Sequence, residues 1–178
     1  MAKCIKCGSS FIAKKRIKLK DADICGKCFE ALGFDPKMGV YTGPTYSWDD
    51  IKDGYDAMLD RKIEAANIKE AASIGVSYAQ YRQLNNIGAT DMETKLVAKI
   101  CAILKDEGRD PDLIEVSLGD NHDALLMVGG TVFIRLKADE GVKWIVFENE
   151  SSDKIRIGGP ARLNSLAGRI IQAYDSVM

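Results

Sequence analysis

The chain has 178 residues, a formal net charge of −1, 46% hydrophobic and 29% charged residues. That length builds one compact domain or two small ones, and the near-neutral balance excludes a global polycation. No run approaches the roughly 18 apolar residues of a membrane span. The N-terminus lacks the apolar core of a signal peptide, so a cytosolic protein with reduced thiols is expected.

Four of the five cysteines fall in the first 28 residues, as Cys4, Cys7, Cys25 and Cys28. Two Cys-x-x-Cys pairs held apart by such a segment have the spacing of a zinc site. Each pair sits on a tight turn, and two turns complete a tetrahedral thiolate set. Structural disulfides do not suit a chain without a secretion signal. A redox Cys-x-x-Cys belongs to a βαβ pattern that is missing here. Zinc is therefore the expected cofactor, with iron as the competing metal. Four thiolates leave no open coordination position, so the metal is expected to be structural. A segment this short also needs it, because it cannot bury enough surface to fold alone.

Phe11 to Lys20, with a turn at Asp21 to Asp23, reads as a short hairpin. "CGKCFEALGF" reads as a helix that starts at the second pair and stops at Gly33. Knuckle, hairpin and ligand-bearing helix make a treble-clef-like module. The motifs "CIKCG", "KLKDADIC" and "CGKCFEALGF" resemble those of small four-cysteine N-terminal domains on uncharacterised proteins of Gram-positive bacteria and their phages. The resemblance covers about the first 35 residues and implies zinc binding without a named partner.

Residues 1–30 carry a net charge of +5. Zinc with four thiolates carries −2, so part of this excess can offset an anionic centre. The remainder, Lys14, Lys15, Arg16 and Lys18 on "KKRIKLK", reads either as a solvated hairpin face or as a phosphate-contacting surface.

Residues 35–46 are rich in Gly and Pro and read as a linker. From Ser47, an N-cap with Asp50 three residues on, Trp48, Ile51, Tyr55, Met58, Leu59, Ile63 and Ala66 recur at helical spacing. One amphipathic helix to about Asn67 is expected. Ile68 to Asn86 resembles a helix-turn-helix of the lac-repressor type, with Ala71 between the helices and a turn at Gly75. That resemblance implies a second helix exposing Tyr78, Gln80, Arg82 and Gln83 to base edges. Glu70 departs from it, at a normally apolar site, and an αα-turn within a bundle needs the same small residue and glycine. Thr90 and Glu93 then form a capping box for a helix that ends at Gly108, with Cys101 on or beside its apolar face.

After Pro111 the periodicity changes to short β-rich runs: "LIEVSL", "ALLMV", "TVFIRL", "VKWIVFE" and "KIRI". Turn-like segments separate them, so an antiparallel meander is expected. Residues 160–177 read as a closing helix with Leu163, Leu166, Ile170, Ile171, Tyr174 and Val177 inward. The arrangement resembles a pleckstrin-homology-like module in architecture only. The fold class is α+β. The divisions are a zinc module at 1–34, the linker, a helical region at 47–108, and a sheet with its helix at 109–178.

No catalytic motif stands out, and His122 falls in a turn, so an enzyme is not expected. Residues 31–178 carry −6, dense around Asp106, Glu107, Asp110 and Asp112. Such a surface complements a basic partner. A non-catalytic, zinc-stabilised binder follows. With the N-terminal resemblance, the specific form expected is a phage anti-CRISPR protein in the host cytoplasm, blocking DNA loading by a type II effector nuclease. The alternatives are a DNA-binding regulator, using the basic hairpin with Arg82 and Gln83, and an intracellular adaptor with a lipid- or peptide-binding C-terminal sheet.

Overall fold

A computed structural model describes residues 2–11, 15–37, 45–139, 141–150 and 153–178. Lys14 and most of the expected linker, 38–44, lie outside the described residues. The chain forms two compact units, Met1–Ala66 and Asn67–Met178. It is α+β, with an N-terminal cysteine cluster and a C-terminal antiparallel meander closed by a helix.

In the first unit, Gly8 takes a φ of +68°, which lets the Cys4–Cys7 turn close, and its N–H donates to the Cys4 carbonyl at 2.8 Å. Strand β1 (Arg16–Lys18) pairs antiparallel with β2 (Asp23–Cys25), with Ile17 opposite Ile24. The turn lies at Leu19–Ala22, earlier than expected, because Leu19 N–H bonds to the Ala22 carbonyl. The second strand thereby delivers Cys25 directly to helix α1 (Gly26–Glu30).

The core of this unit reaches well past the cysteines. Phe29 and Phe34 stack at 4.8 Å, and Tyr55 meets Phe34 edge-on at 5.3 Å. Ile51 and Met58 are buried in the same cluster. Trp48 N–H donates to Asp21 Oδ1 at 2.8 Å, and Tyr55 N–H to the Leu32 carbonyl at 2.8 Å.

The expected continuous helix from Ser47 is broken. Helix α2 (Trp48–Ile51) has the Ser47–Asp50 capping box, and Gly54, at φ +103°, separates it from α3 (Tyr55–Ile74). The second correction concerns its apolar face, for Leu59 and Ile63 are 41% and 51% exposed. Met58 packs in the first unit's core and Ala71 in the second's, while 59–66 are exposed on every side. A helix without an apolar stripe is the solvated, connecting kind.

In the second unit, α4 (Tyr78–Asn86) follows a turn at Gly75, and α5 (Asp91–Asp106) follows the Thr90–Glu93 capping box. A 3-10 turn (Pro111–Leu113) leads to β3 (Glu115–Leu118), β4 (Ala124–Val128), β5 (Thr131–Ala138), β6 (Lys143–Phe147) and β7 (Ile155–Arg156). These strands pair antiparallel in chain order. Residues 160–166 form a 3-10 segment, and only Ala167–Asp175 is α-helical (α6).

Leu126, Ile134, Leu136, Ile145 and Phe147 of the sheet share one core with Leu96, Val97, Ile100 and Leu104 of α5 and with Ile170 and Tyr174 of α6. The α5 cap also ties helix to sheet. Glu93 is buried, its Oε2 accepts from Thr90 N–H at 2.8 Å, and its Oε1 accepts from Ala138 N–H at 3.0 Å.

Candidate metal centre

The knuckle supplies Cys4 and Cys7, the end of β2 supplies Cys25, and the first turn of α1 supplies Cys28. The four sulfurs all lie within 4.8 Å of one another, and Cys7 Sγ is 3.9 Å from Cys25 Sγ. Tetrahedral zinc with Zn–S bonds of about 2.3 Å sets its sulfurs about 3.8 Å apart. The four cysteines therefore form a site that fits zinc. Cys4 and Cys25 are buried, Cys28 half-buried and Cys7 exposed.

The surroundings favour thiolate at one side of the cluster. Ser9 Oγ lies 3.3 Å from Cys7 Sγ. Hydrogen bonds from the Ser9 side chain and backbone bring Cys7 down to about 6. Burial acts against ionisation of Cys4, yet the N–H groups of Cys25, Cys7 and Lys6 together hold it below the ordinary thiol value. Cys28 is pushed up to about 12, by burial first and then by hydrogen bonds with Cys25, Cys7 and Cys4. Within the cluster, Cys7 thus releases its proton readily and Cys28 with difficulty. A divalent cation is the group that lets all four ionise.

The neighbouring cations are largely engaged elsewhere. Arg16 pairs with Asp23 at 2.7 Å and lies over the Phe11 ring, and Lys15 Nζ donates to the Pro36 carbonyl at 3.1 Å. Lys18 is exposed.

The helix-turn-helix-like segment is used differently from the expectation. Gln80 is 1% exposed rather than facing solvent. Its Nε2 donates to the Pro111 and Ile114 carbonyls at 2.6 and 3.1 Å, and its Oε1 accepts from Ser77 N–H. Gln83 Oε1 accepts from Val116 N–H at 2.8 Å, so α4 covers the edge strand β3. Arg82 is exposed. Glu70, the departure from the repressor pattern, accepts from Tyr81 Oη at 2.8 Å. Helical periodicity marks which face points inward but does not say that a glutamine there will bond to backbone.

Asp106, Glu107, Asp110 and Asp112 are all exposed, around the end of α5 and the 3-10 turn. The nearby Arg109 pairs with Asp175 at 2.6 Å, and its Nη1 donates to the Glu107 carbonyl at 2.7 Å. Asp123 does not belong to this surface. It is 1% exposed, and its Oδ1 sits so close to Gly119 that a Cβ there would clash with it. Cys101 is buried beside Gln80, and burial foremost pushes its thiol up to about 12. No helix among the described residues is long and apolar enough to cross a membrane.

No family model, curated protein or solved structure matches the chain.

Proposed function

We propose that this chain is a zinc-stabilised binding protein with no chemistry of its own, working in the reducing cytosol. The four-thiolate cluster carries this reading. Its donors already fill a tetrahedral shell, so a bound metal holds the fold and offers no position to a substrate. The partner is a basic protein. Support comes from the four exposed carboxylates around the end of α5, whose nearest arginine is paired with Asp175. Exposed like charges of this kind steer association with an oppositely charged surface.

The narrowest form is an inhibitor of a type II CRISPR effector nuclease that obstructs DNA loading. It rests on the resemblance of the first 35 residues to domains of phage and Gram-positive proteins and on charge complementarity. Direct DNA reading draws less support, because Gln80 and Gln83 are bonded within the protein.

Capture from a Gram-positive lysate, with and without nuclease treatment, tests the reading. A basic nucleic-acid enzyme retained after nuclease treatment is the expected prey. Genomic DNA, lost after that treatment, would overturn it. Against an identified partner, reversing Asp106, Glu107, Asp110 and Asp112 to Lys should slow association and flatten its salt dependence.

A further inference from the structure

At the open end of the β6–β7 pair lies a cavity of about 590 Å³. Lys143, Lys154 and Arg156 line it, together with Trp144 and the rim glycines Gly141 and Gly158. No acidic residue among the described residues lines it. Arg156 stands opposite Trp144 in the strand register, and Lys154 Nζ lies 4.6 Å above the Trp144 ring.

This concentration of positive charge is out of keeping with its surroundings. The second unit carries 13 basic and 16 acidic residues. Other basic residues of the same sheet and its helix have carboxylate partners: Arg135 with Glu148, Lys137 with Asp139, and Arg169 with Glu150. Lys143, Lys154 and Arg156 form no ion pair among the described residues. Charges on a sheet edge do guard against pairing with another edge. That protection works with either sign and does not require three cations along the lining of one concavity. An anion held in the concavity would be attracted by all three.

We propose that this cavity binds a small ligand bearing phosphate. A guanidinium fork and two ammonium groups suit the multiple charge and several acceptor oxygens of a phosphomonoester or pyrophosphate better than a single carboxylate. A Cβ added at Gly141 or Gly158 would meet nothing within 4 Å among the described residues. Trp144, 6% exposed and under Lys154, is a reporter built into the site. The other tryptophan, Trp48, belongs to the first unit.

The probe is pyrophosphate, titrated at constant ionic strength into the full chain. Heat is followed in the native sequence and Trp144 emission in a Trp48→Phe variant. Saturable binding is expected. Lys143→Gln with Arg156→Gln should weaken it at least about tenfold, while the melting temperature stays near that of the parent. Vesicles of phosphatidylcholine containing phosphatidic acid distinguish the source of the phosphate. Co-sedimentation lost in the double variant assigns it to a lipid headgroup. Binding of pyrophosphate without vesicle binding assigns it to a soluble metabolite. Absence of saturable binding, equal binding of sulfate, or equal affinity in the double variant would overturn the site. DNA binding that survives Lys143→Gln and Arg156→Gln, with no pyrophosphate binding, would do the same.

Discussion

The two units of this chain solve the folding problem by different means. Among its described residues, the second buries a cluster of 26 drawn from the meander and from α3, α4, α5 and α6. The first buries nine among its described residues, and two of those are the cysteines Cys4 and Cys25. A core that small cannot offset the chain entropy it must overcome. A metal on four thiolates can, contributing on the order of 10 kcal/mol or more. One unit is thus held by apolar burial and the other by coordination, and perturbations should separate them.

The largest separation should come from Cys25→Ser. Losing one thiolate should remove most of the roughly 10 kcal/mol of metal-linked stability. Hydrogen exchange should then show residues 2–37 unprotected while α5 and β4–β6 stay protected. Uniform loss of protection would mean that the units are not separable.

Glu93→Ala probes the other side of the comparison. It removes a cap from α5 and leaves Ala138 N–H without its partner. A loss of about 2–4 kcal/mol is expected in denaturant melts, with zinc content unchanged.

A smaller effect is set by pH. Cys101 stays protonated to about 12 in the folded state, whereas an unfolded thiol ionises near 8.5. The folded state therefore holds the extra proton between those values. Stability should fall there by about 1.4 kcal/mol per pH unit from this group. Cys101→Ala should remove that part of the slope. A slope identical in both proteins would show the thiol is not shielded.

The smallest effect belongs to the Arg109–Asp175 pair. Arg109, mainly through its hydrogen bond, holds the Asp175 carboxyl below its ordinary value. The pair's contribution is present above the unfolded carboxylate value and fades as pH falls through the depressed one. Both side chains are accessible to water, so salt should screen it and Asp175→Asn should barely move the melting temperature.

The same division explains what the sequence disclosed. The cysteine spacing located the metal site because coordination chemistry constrains spacing tightly. The strands appeared where short β-rich runs were set apart by turn-like segments, and the Thr90–Glu93 box marked the start of α5. The misreadings arose where two patterns coincide. Leu59 and Ile63 keep helical spacing yet stay exposed, because α3 packs only near its ends. Gln80 falls where a recognition helix would display it, but backbone carbonyls at Pro111 and Ile114, some thirty residues on, claim its amide. That Lys143, Lys154 and Arg156 line one cavity depended on strand pairing and had no local signal.

Elemental analysis of the reduced, folded protein, paired with thiol counting, tests the central claim most directly. One zinc per chain is expected, with Cys4, Cys7, Cys25 and Cys28 protected from alkylation until a chelator removes it. Chelation should abolish the fold of the first unit and spare the second. A folded first unit that carries no metal, with its four thiols freely reactive, would contradict the account.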